Sequence, residues 1–267
     1  MSASYLELSN LQVGLATLLI LINGVISVAL RLGLHRKLAI AALRTVVQLL
    51  LVGLVLHWVF ALNKWYFIFG LMLMMALVAG VAAVRRTARR YPGIWLDSMI
   101  SVWASSWLIT GVALFGIVDV EPWFSPQYAI PLLGMVLGNA LTGVSLGLDR
   151  LGQELVSRRG EVDGLLALGA TRWEAARGPV RTAIQTGMIP ILNSMMVVGI
   201  VSLPGMMTGQ LLAGIEPAQA VKYQIVIMFL IASATTLGTV SVVLLGYRRL
   251  FSRNHRFRYG RLSTPDV

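Results

Sequence analysis

The chain has 267 residues, of which 57% are apolar and 12% charged, about half the charged share of a soluble domain. So few charges cannot cover a water-facing surface, and a mean hydropathy of +0.78 excludes a soluble globule and a disordered chain alike. With no cysteine, a disulfide scaffold is excluded too.

A helix that crosses a bilayer needs about 20 mostly apolar residues, since each rises ~1.5 Å through a core of ~30 Å. Seven stretches satisfy this in chain order: Leu11–Leu30, Leu38–Phe60, Trp65–Val84, Trp95–Val118, Ala129–Leu148, Ala183–Ser202 and Ile225–Leu245. None alternates as a transmembrane β-strand would, so all are expected as helices. The first is expected to be retained, because Glu7 rather than a basic region precedes it.

All but three of the 22 basic residues fall in four segments. Arg31, Arg36 and Lys37 follow the first span, and Arg85, Arg86, Arg89 and Arg90 the third. Arg150 to Arg181 follow the fifth, and Arg248, Arg249, Arg253, Arg256, Arg258 and Arg261 form the tail. Seven spans place all four segments on one side, which the positive-inside rule makes cytoplasmic, with the N-terminus outside. The net charge of +11 is thereby topology and attraction to anionic lipid rather than a nucleic-acid surface.

None of the three lysines follows a glycine, so no phosphate-cradling P-loop exists. His35, His57 and His255 lie in separate segments, which excludes a histidine metal site by spacing. No serine-hydrolase or zinc-protease motif occurs, and Asp97 is the one carboxylate within a span. Neither an enzyme nor a self-powered pump is expected, and no cofactor is expected in this chain.

The hydrophilic segment 149–182 reads as a helical elbow. Val162, Leu165, Leu166 and Leu168 share the spacing of one helix face, and Gly169 stops the helix in a left-handed conformation. Thr171 and Glu174 form a capping box for a second helix, expected to run to about Arg177 and break at Gly178-Pro179. Such an elbow is either a surface connector or a docking element for a cytoplasmic partner.

Within the spans, Arg44 and Gln48 share a helix face. Arg44 lies about 9 Å inside its span, where it either snorkels to the interface or touches a substrate. Gly134 and Gly138 lie opposite Gly143 and Gly147 on the fifth span, which predicts a helix sandwiched between two neighbours; Asn139 lies near the second pair. Met188, Met195, Met196, Met206 and Met207 cluster near Gln185, Asn193 and Gln210. They either fill a core or line a path, and thioethers favour soft metals over iron. Pro190 kinks the sixth span, Leu203-Pro204-Gly205 ends it, and Gly205, Gly209 and Gly214 make the outer loop 203–224 an expected gate.

The stretch Asp163-Gly164-Leu165-Leu166-Ala167-Leu168-Gly169-Ala170-Thr171 resembles the E-A-A-x-x-x-G loop of ABC-transporter permeases, with Asp163 for the glutamate and Gly164 and Leu165 for the alanines. Arg44-Thr45-Val46-Val47-Gln48-Leu49, Gly134-Met135-Val136-Leu137-Gly138-Asn139-Ala140, Ser202-Leu203-Pro204-Gly205-Met206-Met207-Thr208-Gly209 and Ala220-Val221-Lys222-Tyr223-Gln224-Ile225 are similar to the iron-export (Fet-type) ABC permease family, which includes plant aluminium-tolerance permeases. The resemblance covers about 38–250.

It implies one ABC-permease-like domain over 1–267, with a basic tail at 246–267, that forms a homodimer in the inner membrane. A separate cytoplasmic ATP-binding subunit would bind the ATP and meet Asp163, Gly164, Leu165, Gly169, Ala170, Thr171 and Glu174. The expected path or gate comprises Arg44, Gln48, Asn139, Asn193, Met195, Met196, Pro204, Gly205, Met206, Met207 and Gln210. The cargo would be iron or another metal; a nucleotide sugar or other organic solute, or a scaffold without transport, are the alternatives.

Overall fold

A computed structural model of the chain describes residues 9–62, 64–252 and 254–262. Glu7, Arg253 and tail residues 263–267, which entered the sequence reading, lie outside these. The long apolar stretches all fold as helices, and no β-strand occurs among the described residues.

Helix α1 (Asn10–Ala29) starts at a capping box the sequence reading missed, in which Ser9 accepts from the Gln12 N–H and Gln12 Oε1 accepts from the Ser9 N–H. A tight turn, fixed by the Leu34 N–H donating to Ser27 Oγ, leads into α2 (His35–Leu62). These two form a hairpin with almost every side chain exposed. It meets the rest of the chain where Val59 is buried and Trp58 packs on Phe67.

Helices α3 (Trp65–Arg85), α4 (Ile94–Val112), α5 (Pro126–Ser157), α7 (Arg172–Val197) and α9 (Pro217–Leu250) make the bundle, and α5 packs most extensively on α9 and α7. A π-helical turn, Ala113–Ile117, extends α4. The short α6 (Arg159–Ala167) and α8 (Gly205–Leu212) lie at opposite ends of α7.

Small residues set the spacing. A Cβ on Gly143 would stand 2.5 Å from Thr239 Oγ1, and one on Gly187 would stand 2.7 Å from the Gly143 carbonyl oxygen. α5 and α7 therefore touch nearly backbone to backbone, with the Thr239 side chain of α9 seated against both. On the other side of α5, a Cβ on Gly134 would meet Met75 of α3 at 3.3 Å, whereas Gly138 faces open space. The sandwich is real, though three of the four glycines make it. Helix α4 contributes a buried hydroxyl stripe, with Ser98 donating to the Gly80 carbonyl and Ser105 to that of Ser101. This stripe was not read from the sequence.

Two expectations need correcting. The elbow's second helix does not break at Gly178-Pro179: α7 runs through both Pro179 and Pro190. Packing between α5 and α9 holds the helix where a proline in isolation would end it. The stretch 203–224 is mostly helical, since α8 occupies its first half and α9 begins at Pro217. Of the expected hinge glycines, Gly214 takes a left-handed φ of +83°, while Gly205 and Gly209 lie within α8; Gly199, with φ +81°, had not been singled out.

Six helices (α1 to α5 and α9) are long and apolar enough to cross a membrane. The 26-residue α7, about 39 Å long, runs antiparallel between α5 and α9 and carries the sixth expected span only as far as Val197; residues 198–202 form turns instead of the expected helix. Its Arg181, Gln185 and Asn193 leave it the most polar of the bundle helices. Three of the four basic segments meet at one end, as contacts show: Arg89 covers Gly152, the Ala88 N–H donates to Asp149, and Arg249 pairs with Asp97. The first is tied to that end through α2, whose Arg44 shares a cleft with Arg85 and Arg86.

That last pair ties α9 to the start of α4. Arg249 Nε donates to both Asp97 oxygens, at 2.8 and 2.7 Å, and Asp97 is buried. Gly93, with φ +90°, precedes α4 because a Cβ there would lie 2.5 Å from the Arg249 guanidinium. Burial, and then the Asp97 carboxylate, push the Tyr91 phenol far above its usual range.

Candidate functional site

The elbow at the basic end is built by local chemistry. Gly169 takes a φ of +91°, as expected of a helix stop. The Thr171–Glu174 capping box forms as the sequence indicated: Thr171 Oγ1 accepts from the Glu174 N–H at 3.3 Å, and Glu174 Oε2 accepts from the Thr171 N–H at 2.7 Å. The Thr171 hydroxyl and then its backbone N–H hold the Glu174 carboxyl below its usual range. Because the ionised form is the one bound, the cap is complete above the ordinary glutamate range and weakens as pH falls through the lowered value.

Hydrogen exchange in the first turn of α7, corrected for intrinsic rates, is therefore expected to speed up on acidification. Thr171→Ala speeds it about fivefold at neutral pH, as loss of a cap worth ~1 kcal/mol requires, and Glu174→Gln removes the added pH dependence. Unchanged exchange in Thr171→Ala would contradict this account of the cap.

The apolar face of α6 is split. Val162 is buried and Leu165 and Leu166 half-buried, but Leu168 is 86% exposed at the tip of the elbow. Asp163 pairs with Arg159 at 3.3 Å, and Gly164 has open space where a Cβ would be. Ala170 is half-buried behind the tip.

The tail braces this elbow, a contact the sequence reading did not foresee. Phe251 pairs with Phe257 in an isolated antiparallel bridge and the rings stack at 5.1 Å. A ladder of rings runs from Trp173 through Tyr247, Phe251 and Phe257 to Tyr259, which the Arg159 guanidinium covers at 4.2 Å. His255 Nδ1 accepts from the Arg172 N–H at 2.9 Å, so the tail also caps α7. Beside it, Arg172, Arg248 and Arg258 line a basic recess of about 640 Å³.

The expected path residues separate into two places. At the end opposite the elbow, Met195, Met207, Met228, Gln224 and Phe229 line a cavity of about 340 Å³ between α7, α8 and α9. The Gln224 amide oxygen is buried there without a hydrogen-bond partner. Met206 packs against the core, Pro204 precedes α8 and Gly205 begins it, and the buried Gln210 amide oxygen lacks a partner. Met196 is 68% exposed, Asn193 is exposed as well, and Asn139 donates to the Met135 carbonyl within α5. Arg44 and Gln48 line a different space, a cleft of about 680 Å³ between α2 and α3, with Arg85 and Arg86. Met228 and Gln224, which face Met195 of α7 and Met207 of α8, were not foreseen as cavity residues; their four-residue spacing on α9 was the available signal.

Among the described residues no three His, Asp or Glu side chains gather as a metal site. The lining just described offers soft thioether and amide donors instead.

The profile of the family described as Uncharacterised protein family (UPF0014) matches residues 10–251. A UPF0014 membrane protein of Synechocystis is 42% identical over 229 residues, which is 84% of this chain and 87% of that protein. The probable iron export permease protein FetB of Escherichia coli is 32% identical over 253 residues, 94% of this chain and 95% of its own length. Protein ALUMINUM SENSITIVE 3 of Arabidopsis thaliana is 31% identical over 245 residues, 91% of this chain and 88% of the relative. No solved structure matches. The motifs at Arg44, Gly134 and Ser202 thus resembled the relatives that full-length similarity now identifies, and the chain belongs to the UPF0014 family of membrane proteins.

Proposed function

We propose that the chain is the membrane subunit of an ABC transporter in the inner membrane, working as a homodimer and driven by a separate cytoplasmic ATPase. The observation that carries this reading is Leu168, an apolar side chain 86% exposed on an elbow held rigid behind it by a glycine turn, a capping box and the aromatic ladder of the tail. A large apolar group presented on a fixed tip is what a hydrophobic groove in a partner captures. The recess of Arg172, Arg248 and Arg258 alongside favours an acidic rim around that groove. ATP would be bound by the partner, and its cycle would favour one of two arrangements of the bundle by binding one better than the other.

The path in this reading passes the cavity of Met195, Met207, Met228 and Gln224, with the Gly199 and Gly214 turns on either side of α8 as its moving joints. Iron or another metal ion is the cargo that FetB's name supports, moving outward. The mostly apolar lining of the cavity favours a small organic solute as the second reading.

The chain purified from its native membrane is expected to bring down a P-loop ATPase. Leu168→Asp should weaken that association on the order of tenfold or more, because an unpaired carboxylate would have to enter an apolar groove, while leaving the chain monodisperse. Retention of the ATPase by Leu168→Asp at the wild-type level would remove the basis of the proposal. ATP-dependent movement of radiolabelled iron in vesicles holding both subunits separates the two cargo readings.

A further inference from the structure

The cleft between α2 and α3 belongs to neither the elbow nor the cavity beside α8. Arg44, in the third turn of α2, faces Arg85 and Arg86 at the end of α3 across a space of about 680 Å³. Gln48 and Thr45 share this lining. The rest of the wall is apolar, formed by Leu77, Val78, Val81 and Ala82 of α3 with Met99 of α4. All three arginines are exposed, and none of their side chains has an ion pair or hydrogen bond among the described residues.

Three like charges brought to one space repel one another and call for an anion. The chain's own acids do not provide it. Asp97 is held by Arg249, Asp149 by the Ala88 N–H and Gln153, and Glu154 by Arg150. Glu161 pairs with Arg158, Asp163 with Arg159, and Glu174 closes the cap of α7. Every described acidic side chain at the basic end is therefore engaged, and a second copy of this chain would bring more arginine than carboxylate. The apolar wall runs along α3 toward the middle of the span, directly beneath the arginines.

We infer that this cleft binds an anionic phospholipid. The headgroup phosphate sits among Arg44, Arg85 and Arg86, with the Gln48 amide as a further donor, and an acyl chain lies along Leu77, Val78 and Val81. Arginine suits the role because its planar donors match phosphate oxygens two at a time. Arg44 lies deeper than its two partners, at a level its long apolar stem allows a guanidinium to reach from within the span. The inference is independent of the transport reading, since it involves none of the elbow or cavity residues.

The test is native mass spectrometry of the full chain, titrated in detergent with phosphatidylglycerol and phosphatidylcholine of identical acyl chains. The wild type is expected to retain phosphatidylglycerol at least tenfold better. Arg44→Gln should lower that preference about fivefold, the share of one arginine near an anionic surface, and Arg44→Lys should lower it less. Arg44→Gln combined with Arg85→Gln and Arg86→Gln should abolish it, while Arg36→Gln with Lys37→Gln, at the same end but outside the cleft, should preserve it. The inference fails if Arg44→Gln retains the full preference, or if Arg36→Gln with Lys37→Gln loses it equally. It also fails if millimolar inorganic phosphate displaces the lipid, which would make this a free-phosphate site, or if Arg44→Gln changes the dimer population and leaves lipid retention untouched.

Discussion

Arg249→Met is expected to destabilise the protein by about 3 kcal/mol, the low end of what breaking a buried ion pair costs. The asymmetry of the pair gives the reason. The Asp97 side chain is 2% exposed and Arg249 36%, so removal of the arginine strands a carboxylate with no access to water. The low end applies because Arg249 is partly solvated, so water already screens part of the attraction. Arg249→Lys keeps the charge but loses the planar group that fills the space beside Gly93, and should fall between wild type and Arg249→Met. Asp97→Asn added to Arg249→Met should recover part of the loss, because no charge is then buried alone. Thermal unfolding in detergent measures all four proteins. A melting temperature for Arg249→Met equal to the wild-type value would show that the pair holds nothing together.

Gly187→Ala should cost about as much, by a different route. The new methyl group would stand 2.5 Å from Thr239 Cγ2 and 2.7 Å from the Gly143 carbonyl oxygen. The threonine could rotate, but a backbone carbonyl on α5 cannot move without moving its helix. Overpacking of this kind typically costs 1–3 kcal/mol, and the upper part of that range is expected here because three helices meet at the point. Gly209→Ala, whose methyl group would meet nothing within 4 Å, is the matched control and should be neutral or slightly stabilising. Should Gly187→Ala and Gly209→Ala unfold together, the close approach of α5, α7 and α9 would not be a stabilising contact.

Much of this architecture could be read from the chain because the signals were local. Twenty apolar residues in a row have few options, and six of the seven stretches became helices of crossing length and apolarity. The left-handed Gly169 and the Thr171–Glu174 cap are set by side chains three or fewer residues apart, so neighbours in sequence sufficed. What escaped was tertiary. Pro179 signals a break, yet α5 and α9 hold α7 straight through it. Leu168 has the spacing of the buried face of α6 but projects from it, because the helix ends at Ala167 and the chain turns away. Arg44 and Met195 both carry the marks of a path, but only packing could place them in separate spaces. The fold of the tail onto the elbow depends on rings that are distant in sequence, Trp173 and Tyr247 among them.

That fold has a mechanical consequence. Helix α9 is a single rod of 34 residues, about 51 Å long, and its lower end is braced against α7 by the edge-on contact of Tyr247 with Trp173 and against α6 by the tail ring of Tyr259 under Arg159. A partner that turned the elbow, as proposed above, would turn this rod with it, and Gln224 and Met228, which line the cavity beside α8 from the same helix, would move as one piece with its braced end.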